Sequence, residues 1–484
     1  MSQAHDRRRN SRPPAKKRRG RQHESPSGSE KRPPNPTFSP DRVYLALAGL
    51  AVVISVLKAP AFPINDPAMF EYFGRSLLHG GHLYTGDLID NKLPSIYVVN
   101  EILQALFGAN YFLHTCAEAV VNLGSITLFA VMLRKAGVAA WALGTFLFSV
   151  FFSLPFPQFD YAQHYCVFFI VLALCLDSYG RYALAGAAVA LATTFWPPAA
   201  LTCIPILMQR FSERWFPVLG GFLAVAALSV IGLRLVSGRQ IFTDVIAAWT
   251  QYVQLSGIDP LRLRDTFLWS GLGPGILAMG ALLLLVIRRP TSPVSRFALV
   301  WSACAFAGFV IPPRFAEHYL LPSTPALAMA IASYGLSLKD VVRRPIIALV
   351  ALALLSTMAL NIVRIARAFD SYALYVQRIG HWIRSSIGDG ALVYTFEFVP
   401  EVQLASDAVR PTRDDPSAWT EVPEVVVFGP SAAPDLARKH YNVTAQGDAK
   451  TVVYVPVCPG LTGRLFIYAV SSKVHAFPCR LQLK

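Results

Sequence analysis

Eleven apolar runs punctuate this chain, at 43–59, 111–133, 138–155, 163–179, 182–195, 197–209, 216–236, 267–287, 297–312, 318–337 and 345–362. Most approach the 17–25 residues that carry a helix across the hydrocarbon core of a bilayer. They are continuously apolar and do not alternate, so they predict membrane-spanning helices and not barrel strands. The fifth and sixth are short and meet at Trp196-Pro197-Pro198. Proline disfavours helix at the residue before it, which points to a hairpin over one kinked helix. The pattern predicts a polytopic α-helical membrane protein with about eleven transmembrane helices.

The polar segments between the runs carry a topology. With the N-terminus in the cytosol, the cytosolic loops hold Arg134 and Lys135, Arg181, Arg210 and Arg214, Arg288, Arg289 and Arg296, and Lys339, Arg343 and Arg344. Such a bias toward Lys and Arg marks the cytoplasmic side. The other side receives a long loop at 60–110, the Asp160 loop, the 237–266 segment and the Arg314 loop. An odd number of spans exports the C-terminus.

After residue 362 the pattern changes. Short β-rich runs appear at 391–396, 424–429, 451–457 and 464–470, separated by Gly, Pro and Asp, with a candidate helix at 434–441. They predict a small extracytoplasmic α/β domain over 363–484.

Composition agrees with the pattern. Of 484 residues, 54% are hydrophobic and only 15% are charged, against about 25% charged in soluble domains. The net charge of +15 is concentrated at the start. Residues 1–42 hold twelve Lys or Arg against four acids, a surplus of eight, in a Pro- and Ser-rich context. That segment cannot build a core and is expected to be a disordered cytoplasmic tail touching anionic lipid. No aromatic residues interleave its charges as in nucleic-acid-binding segments, so no nucleic-acid partner is expected. The seven cysteines show no metal-ligand spacing. Cys116, Cys166, Cys175, Cys203 and Cys304 fall in or beside apolar runs as packing residues; Cys458 and Cys479 share the C-terminal domain, where an oxidising compartment would let them pair.

The most unusual polar stretch is INDPAMFEYFGRSLLHGGHLYTGDLIDNKLPSIY, residues 64–97. A turn of chain needs only a few polar residues, whereas this loop spends about thirty and includes Asp66, Glu71, Asp87, Asp90 and Lys92. Its order is distinctive. Asp66 follows the first apolar run; an aromatic amphipathic segment with Tyr72 and Phe73 comes next; then Gly81-His82-Leu83-Tyr84, Asp90-Asn91-Lys92-Leu93-Pro94, and an apolar segment ending Leu106-Phe107-Gly108. This arrangement resembles the first external loop of GT-C glycosyltransferases, in the branch of protein O-mannosyltransferases and lipid A aminoarabinose or galacturonic acid transferases. The late stretch PRFAEHYLLPSTPALAMA, 313–330, resembles the family's external-end element. The chain departs from the family where Pro67 follows Asp66 and where Leu93 separates Lys92 from Pro94.

The resemblance implies a GT-C-like transmembrane domain over 43–362. It implies transfer of a sugar from a polyprenyl-phosphate donor to a lipid, glycan or protein acceptor, on the extracytoplasmic face of the inner (plasma) membrane. Such a reaction needs a carboxylate to take the acceptor's proton and positive charge to stabilise the departing phosphate. Asp66 is the candidate base, although Asp before Pro is also a good helix cap. Lys92 is the candidate phosphate ligand, a compact cation that would otherwise snorkel at the interface. Arg314 and His318, four residues apart, would share a helix face and assist on the phosphate, with Tyr319 beside them. Asp160, followed by Gln163 and His164, is a second candidate catalytic acid, implied to position the acceptor. Asp87, Asp90 and Tyr84 are expected to support Lys92; two acids alone are weak evidence for a divalent metal, and no other cofactor is implied. His114, Glu118 and Asn122 form a polar stripe at i, i+4 and i+8, expected to face the bundle interior. A stripe of that kind also suits a transporter or flippase of lipid-linked sugars, the rival reading. Gathering of the acids at one external surface favours an enzyme.

Overall fold

The computed structural model describes residues 40–59, 62–84, 92–156, 161–209, 211–237, 292–312 and 315–333, together with 376–385, 400–406, five strands between 393 and 470, and a few isolated positions. The expected spans at 267–287 and 345–362, and the N-terminal tail, lie outside this set almost entirely.

Among the described residues, nine α-helices run from the first span to residue 237: α1 Pro40–Lys58, α2 Asp66–Leu78, α3 Ser95–Phe107, α4 Tyr111–Lys135, α5 Trp141–Ser153, α6 Ala162–Ser178, α7 Tyr182–Phe195, α8 Cys203–Gln209 and α9 Phe211–Ser237. A 3-10 helix, Pro197–Thr202, separates α7 from α8. After the undescribed stretch come α10 Pro293–Val310, a second 3-10 helix Glu317–Ser323, and α11 Thr324–Ser333. Among the described residues, three helical segments are long and apolar enough to cross a membrane: Tyr111–Lys135, Arg214–Arg234 and Pro293–Val310. Shorter apolar helices lie between them.

Local chemistry explains several of the boundaries. At the Trp196-Pro197-Pro198 junction, Trp196 is extended (φ −147°, ψ 99°), as its following proline requires, and α7 stops there. The chain continues as a 3-10 turn and then a seven-residue helix. Ser292 and Ser295 form a reciprocal capping box that starts α10, with Pro293 in its first turn.

The helices pack pairwise, α1 on α5, α2 on α3, α4 on α6, α6 on α7, and α7 on α9. Small residues set the closest approaches. A Cβ on Gly186 of α7 would lie 1.9 Å from the Val218 carbonyl oxygen, and one on Gly221 of α9 would lie 1.9 Å from that of Ala183. In lipid, where apolar burial offers little drive for association, such close packing is a main source of cohesion. Gly74 does the same for α2, where a Cβ would meet Asn100 of α3 at 2.6 Å. Phe70, Phe73, Tyr97, Phe129, Phe148 and Phe152 are fully or almost fully buried in the core these pairs enclose.

In the C-terminal part, β1 Val393–Phe396, β2 Val425–Phe428, β3 Tyr441–Thr444, β4 Thr451–Cys458 and β5 Phe466–Val470 form one sheet of order β1-β2-β5-β4-β3. β1 and β2 are parallel, and the other pairs are antiparallel. The ladder of β4 and β5 shifts register between Pro456 and Cys458, where proline removes a donor from an interior strand. Four strands fall on the β-rich runs. The fifth departs from the sequence pattern: Tyr441, the last residue of the anticipated 434–441 helix, opens β3. A short helix, α12 Pro400–Ser406, packs against α2.

Candidate active site

Asp66 lies in the first turn of α2, just after Asn65, whose backbone is left-handed (φ 58°). The structure corrects the capping alternative for Asp66. Asn65 holds the cap position without a side-chain cap bond, and Asp66 is already inside the helix. Its carboxylate is used differently: Lys92 Nζ donates to Oδ2 at 3.2 Å, and His318 Nε2 stands 3.7 Å from the same oxygen. A side chain from the same loop and one from a distant segment thus converge on one carboxylate. Lys92 and His318 keep 13% and 15% of their side-chain surface, whereas Asp66 keeps 35%. The acid is the more accessible member, and Lys92 and His318 are more deeply buried.

Lys92 is positioned from two sides. Its ammonium sits 4.9 Å from the Phe70 ring centroid, one turn along α2 from Asp66. Its carbonyl oxygen accepts a hydrogen bond from the buried Tyr84 hydroxyl at 2.5 Å. Tyr84 is itself left-handed, with φ 62°. An aromatic residue at positive φ costs free energy, and such strain collects where surrounding structure fixes a functional geometry.

His318 departs from the expected arrangement. It does not begin a regular span; it lies in the 3-10 helix Glu317–Ser323, after Phe315 with φ 47°. The α-helical i, i+4 face assumed for Arg314 and His318 is therefore absent at His318, and Arg314 lies outside the described residues. The imidazole stacks on Tyr161 at 4.8 Å and 25°, and meets Tyr319 edge-on at 4.7 Å. Tyr319 in turn packs on Trp196 at 4.4 Å. Tyr161 and Trp196 complete an aromatic wall that the sequence pattern does not reveal; their only signal is adjacency to Asp160 and to the Pro197-Pro198 break.

Asp87, Asp90 and Asp160 also lie outside the described residues. Among the described residues, no three His, Cys, Asp or Glu side chains gather as a metal site.

A second carboxylate cluster is built on the same helix. Glu71, one turn along α2 from Asp66, is buried, with Oε1 accepting from His114 Nδ1 at 2.5 Å and Oε2 from Gln104 Nε2 at 2.6 Å. Glu118 accepts from the Tyr165 hydroxyl at 3.4 Å, and Asn122 is fully buried. The polar stripe of α4 faces inward, and its first two members bind neighbouring elements. The charge pattern of the loop marks Glu71 but assigns it no role; the structure makes it the hub of this cluster.

Beyond this cluster, the guanidinium of Arg75 donates to the carbonyl oxygens of Leu404 at 3.1 Å and Gln403 at 3.4 Å. α2 therefore ties Asp66 at its start to α12 near its end. A cavity of about 540 Å³ opens there, lined by Arg75, His79, Gln104, Tyr111, Arg384 and Leu404 among others.

This architecture is found in solved structures. ArnT from Cupriavidus metallidurans bound to undecaprenyl phosphate superposes with a TM-score of 0.55, covering 90% of this chain and 99% of that one at 14% identity. The chain shares its fold with this ArnT. The same ArnT in the apo state gives a TM-score of 0.51 over 90% of this chain and 98% of its own, again at 14% identity. An oligosaccharyltransferase from Archaeoglobus fulgidus, in complex with Zn and sulfate, aligns over 88% of this chain and 73% of its own with a TM-score of 0.49 and 14% identity. No protein-family model matches the sequence, nor does any curated protein. The likeness of this chain to known proteins thus rests on its three-dimensional structure.

Proposed function

We propose that this protein is an integral-membrane glycosyltransferase that moves a sugar from a polyprenyl-phosphate donor to a lipid, glycan or protein acceptor on the extracytoplasmic face of the inner membrane. The observation that carries the reading is the meeting of Lys92 and His318 on the accessible carboxylate of Asp66, in a fold whose ArnT counterpart was solved with undecaprenyl phosphate.

In this reading Asp66 takes the proton of the acceptor hydroxyl or amine. The freed lone pair forms the bond to the anomeric carbon as the carbon–oxygen bond to phosphate breaks, with inversion, and polyprenyl phosphate departs with the bonding electrons. Lys92 stabilises the charge growing on that phosphate, a role for which fixed positive charge in a half-buried site is well suited. His318 assists, braced by Tyr161 and Tyr319. Arg314 is assigned to the same phosphate, Asp160 to the acceptor, and Asp87 and Asp90 to the support of Lys92. The N-terminus lies in the cytosol, and the sheet-bearing C-terminal part lies outside, over the site. The transporter reading draws little from the α4 stripe, whose His114 and Glu118 are bonded to Glu71 and Tyr165.

The test is transfer from a labelled polyprenyl-phosphate sugar by the purified protein in lipid. Asp66→Asn is expected to lower the rate by about 10²- to 10⁴-fold, the usual contribution of a positioned base. Unchanged transfer would remove Asp66 from the chemistry. Labelled lipid appearing across a vesicle bilayer without transfer would favour the transporter.

A further inference from the structure

A cavity of about 830 Å³ lies far from Asp66. It opens among the C-terminal ends of α4 and α6, the start of α7, and parts of α8, α9, α10 and α11. α6 fixes the separation. Tyr161 at its start stacks on His318, and Asp177 and Ser178 at its end line this cavity. The helix is seventeen residues long, about 25 Å at 1.5 Å per residue. The cavity is therefore at the opposite end of the bundle from the candidate active site, on the side where the basic loops gather.

Its lining is amphiphilic. Met132, Leu174, Met208, Val294, Phe297 and Val300 supply apolar wall. Lys135, Arg214 and Arg296 supply charge, against the single carboxylate of Asp177 in the described lining. That carboxylate is committed: Arg214 Nη1 donates to both its oxygens, at 2.9 and 2.8 Å, and the pair is buried. Three cations against one acid leave a surplus of two, carried by the exposed Lys135 and Arg296. Lys135 is held in place, its ammonium 3.5 Å from the Tyr179 ring centroid. An apolar recess between helix ends with two uncompensated cations at its rim fits a molecule with an anionic phosphate head and a hydrocarbon tail. Basic pockets between helices on the cytoplasmic side take such heads.

We propose that this cavity binds an anionic phospholipid of the cytoplasmic leaflet, with Lys135 and Arg296 on its phosphate and the apolar wall along its acyl chain. The site is separate from the donor site and does not depend on the transferase reading.

Native mass spectrometry of the full-length protein, released from micelles doped with phosphatidylglycerol or phosphatidylcholine, tests it. Wild type is expected to retain phosphatidylglycerol in preference, and Lys135→Ala/Arg296→Ala to retain it at least tenfold less. Arg134→Ala/Arg181→Ala, equal charge loss at the same end but outside the lining, is expected to bind as wild type does. Equal retention by wild type and Lys135→Ala/Arg296→Ala, or equal loss in both double variants, would overturn the proposal; the latter would assign the effect to general surface charge. Inorganic phosphate and glycerol phosphate form the second arm. Either one displacing the lipid at millimolar concentration would assign the site to a soluble phosphate and overturn the lipid assignment.

Discussion

At the scale of single residues, the site is a carboxylate held by two basic side chains, and each partner has a separable role. Lys92→Ala is expected to lower transfer by about 10²- to 10³-fold, since it removes a charge that acts mainly as the phosphate leaves. Lys92→Arg is expected to retain more activity; rates with a labelled donor compare the two. The resting Lys92–Asp66 ion pair at 3.2 Å also predicts an order of binding. On the proposed reading a donor phosphate competes for Lys92 and so frees Asp66 to accept a proton. Initial-rate kinetics should therefore show a compulsory order with the donor first, and a random order would count against this coupling. Glu71 differs. Its bonds to His114 and Gln104 are buried, so Glu71→Ala leaves polar groups stranded and is expected to cost about 3–5 kcal/mol, read as loss of thermal stability in detergent. Asp66 and Lys92 are legible in the sequence because both fall in one loop with an unusual charge pattern. Tyr161 and Trp196 are not, because an aromatic residue beside an apolar run carries no mark of what it will face.

At the scale of elements, the apolar periodicity locates most helices, since a run of that kind has few other folds available in lipid. It fails where the backbone departs from regular helix. Residues 318–323 read as the start of a span yet form a 3-10 helix after the left-handed Phe315. Pro322 is inside that stretch, and hydrophobicity alone does not distinguish a 3-10 turn from an α-turn. Residues 441–444 do not read as a strand because YNVT lacks the apolar density of its neighbours. The α7–α9 contact makes a sharper element-scale prediction. At Gly186 and Gly221 a side chain would enter a carbonyl oxygen on the facing helix. Gly186→Leu and Gly221→Leu should each destabilise the protein by about 1–3 kcal/mol or more, whereas Gly220→Leu, with open space around it, should leave the melting temperature near that of wild type.

At the scale of the whole molecule, the two ends of the helical bundle differ in chemistry: acids, aromatics and the candidate site at one, a basic cavity at the other. If the first is extracytoplasmic, a cysteine placed at the exposed His82 should react with a membrane-impermeant maleimide in intact cells, and one placed at the exposed Arg181 should react only after permeabilisation. The reverse pattern would invert the topology. The clasp between Arg75 and the carbonyls of Leu404 and Gln403 bears on modularity. Composition suggests a seam near residue 363, yet the helix bearing Asp66 is buttressed by backbone from beyond that seam. The C-terminal quarter is therefore no interchangeable cartridge. A chimera joined at 363 would replace both that buttress and strand β1 by foreign chain, and is expected to lose activity unless the partner chain supplies an equivalent clasp for Arg75.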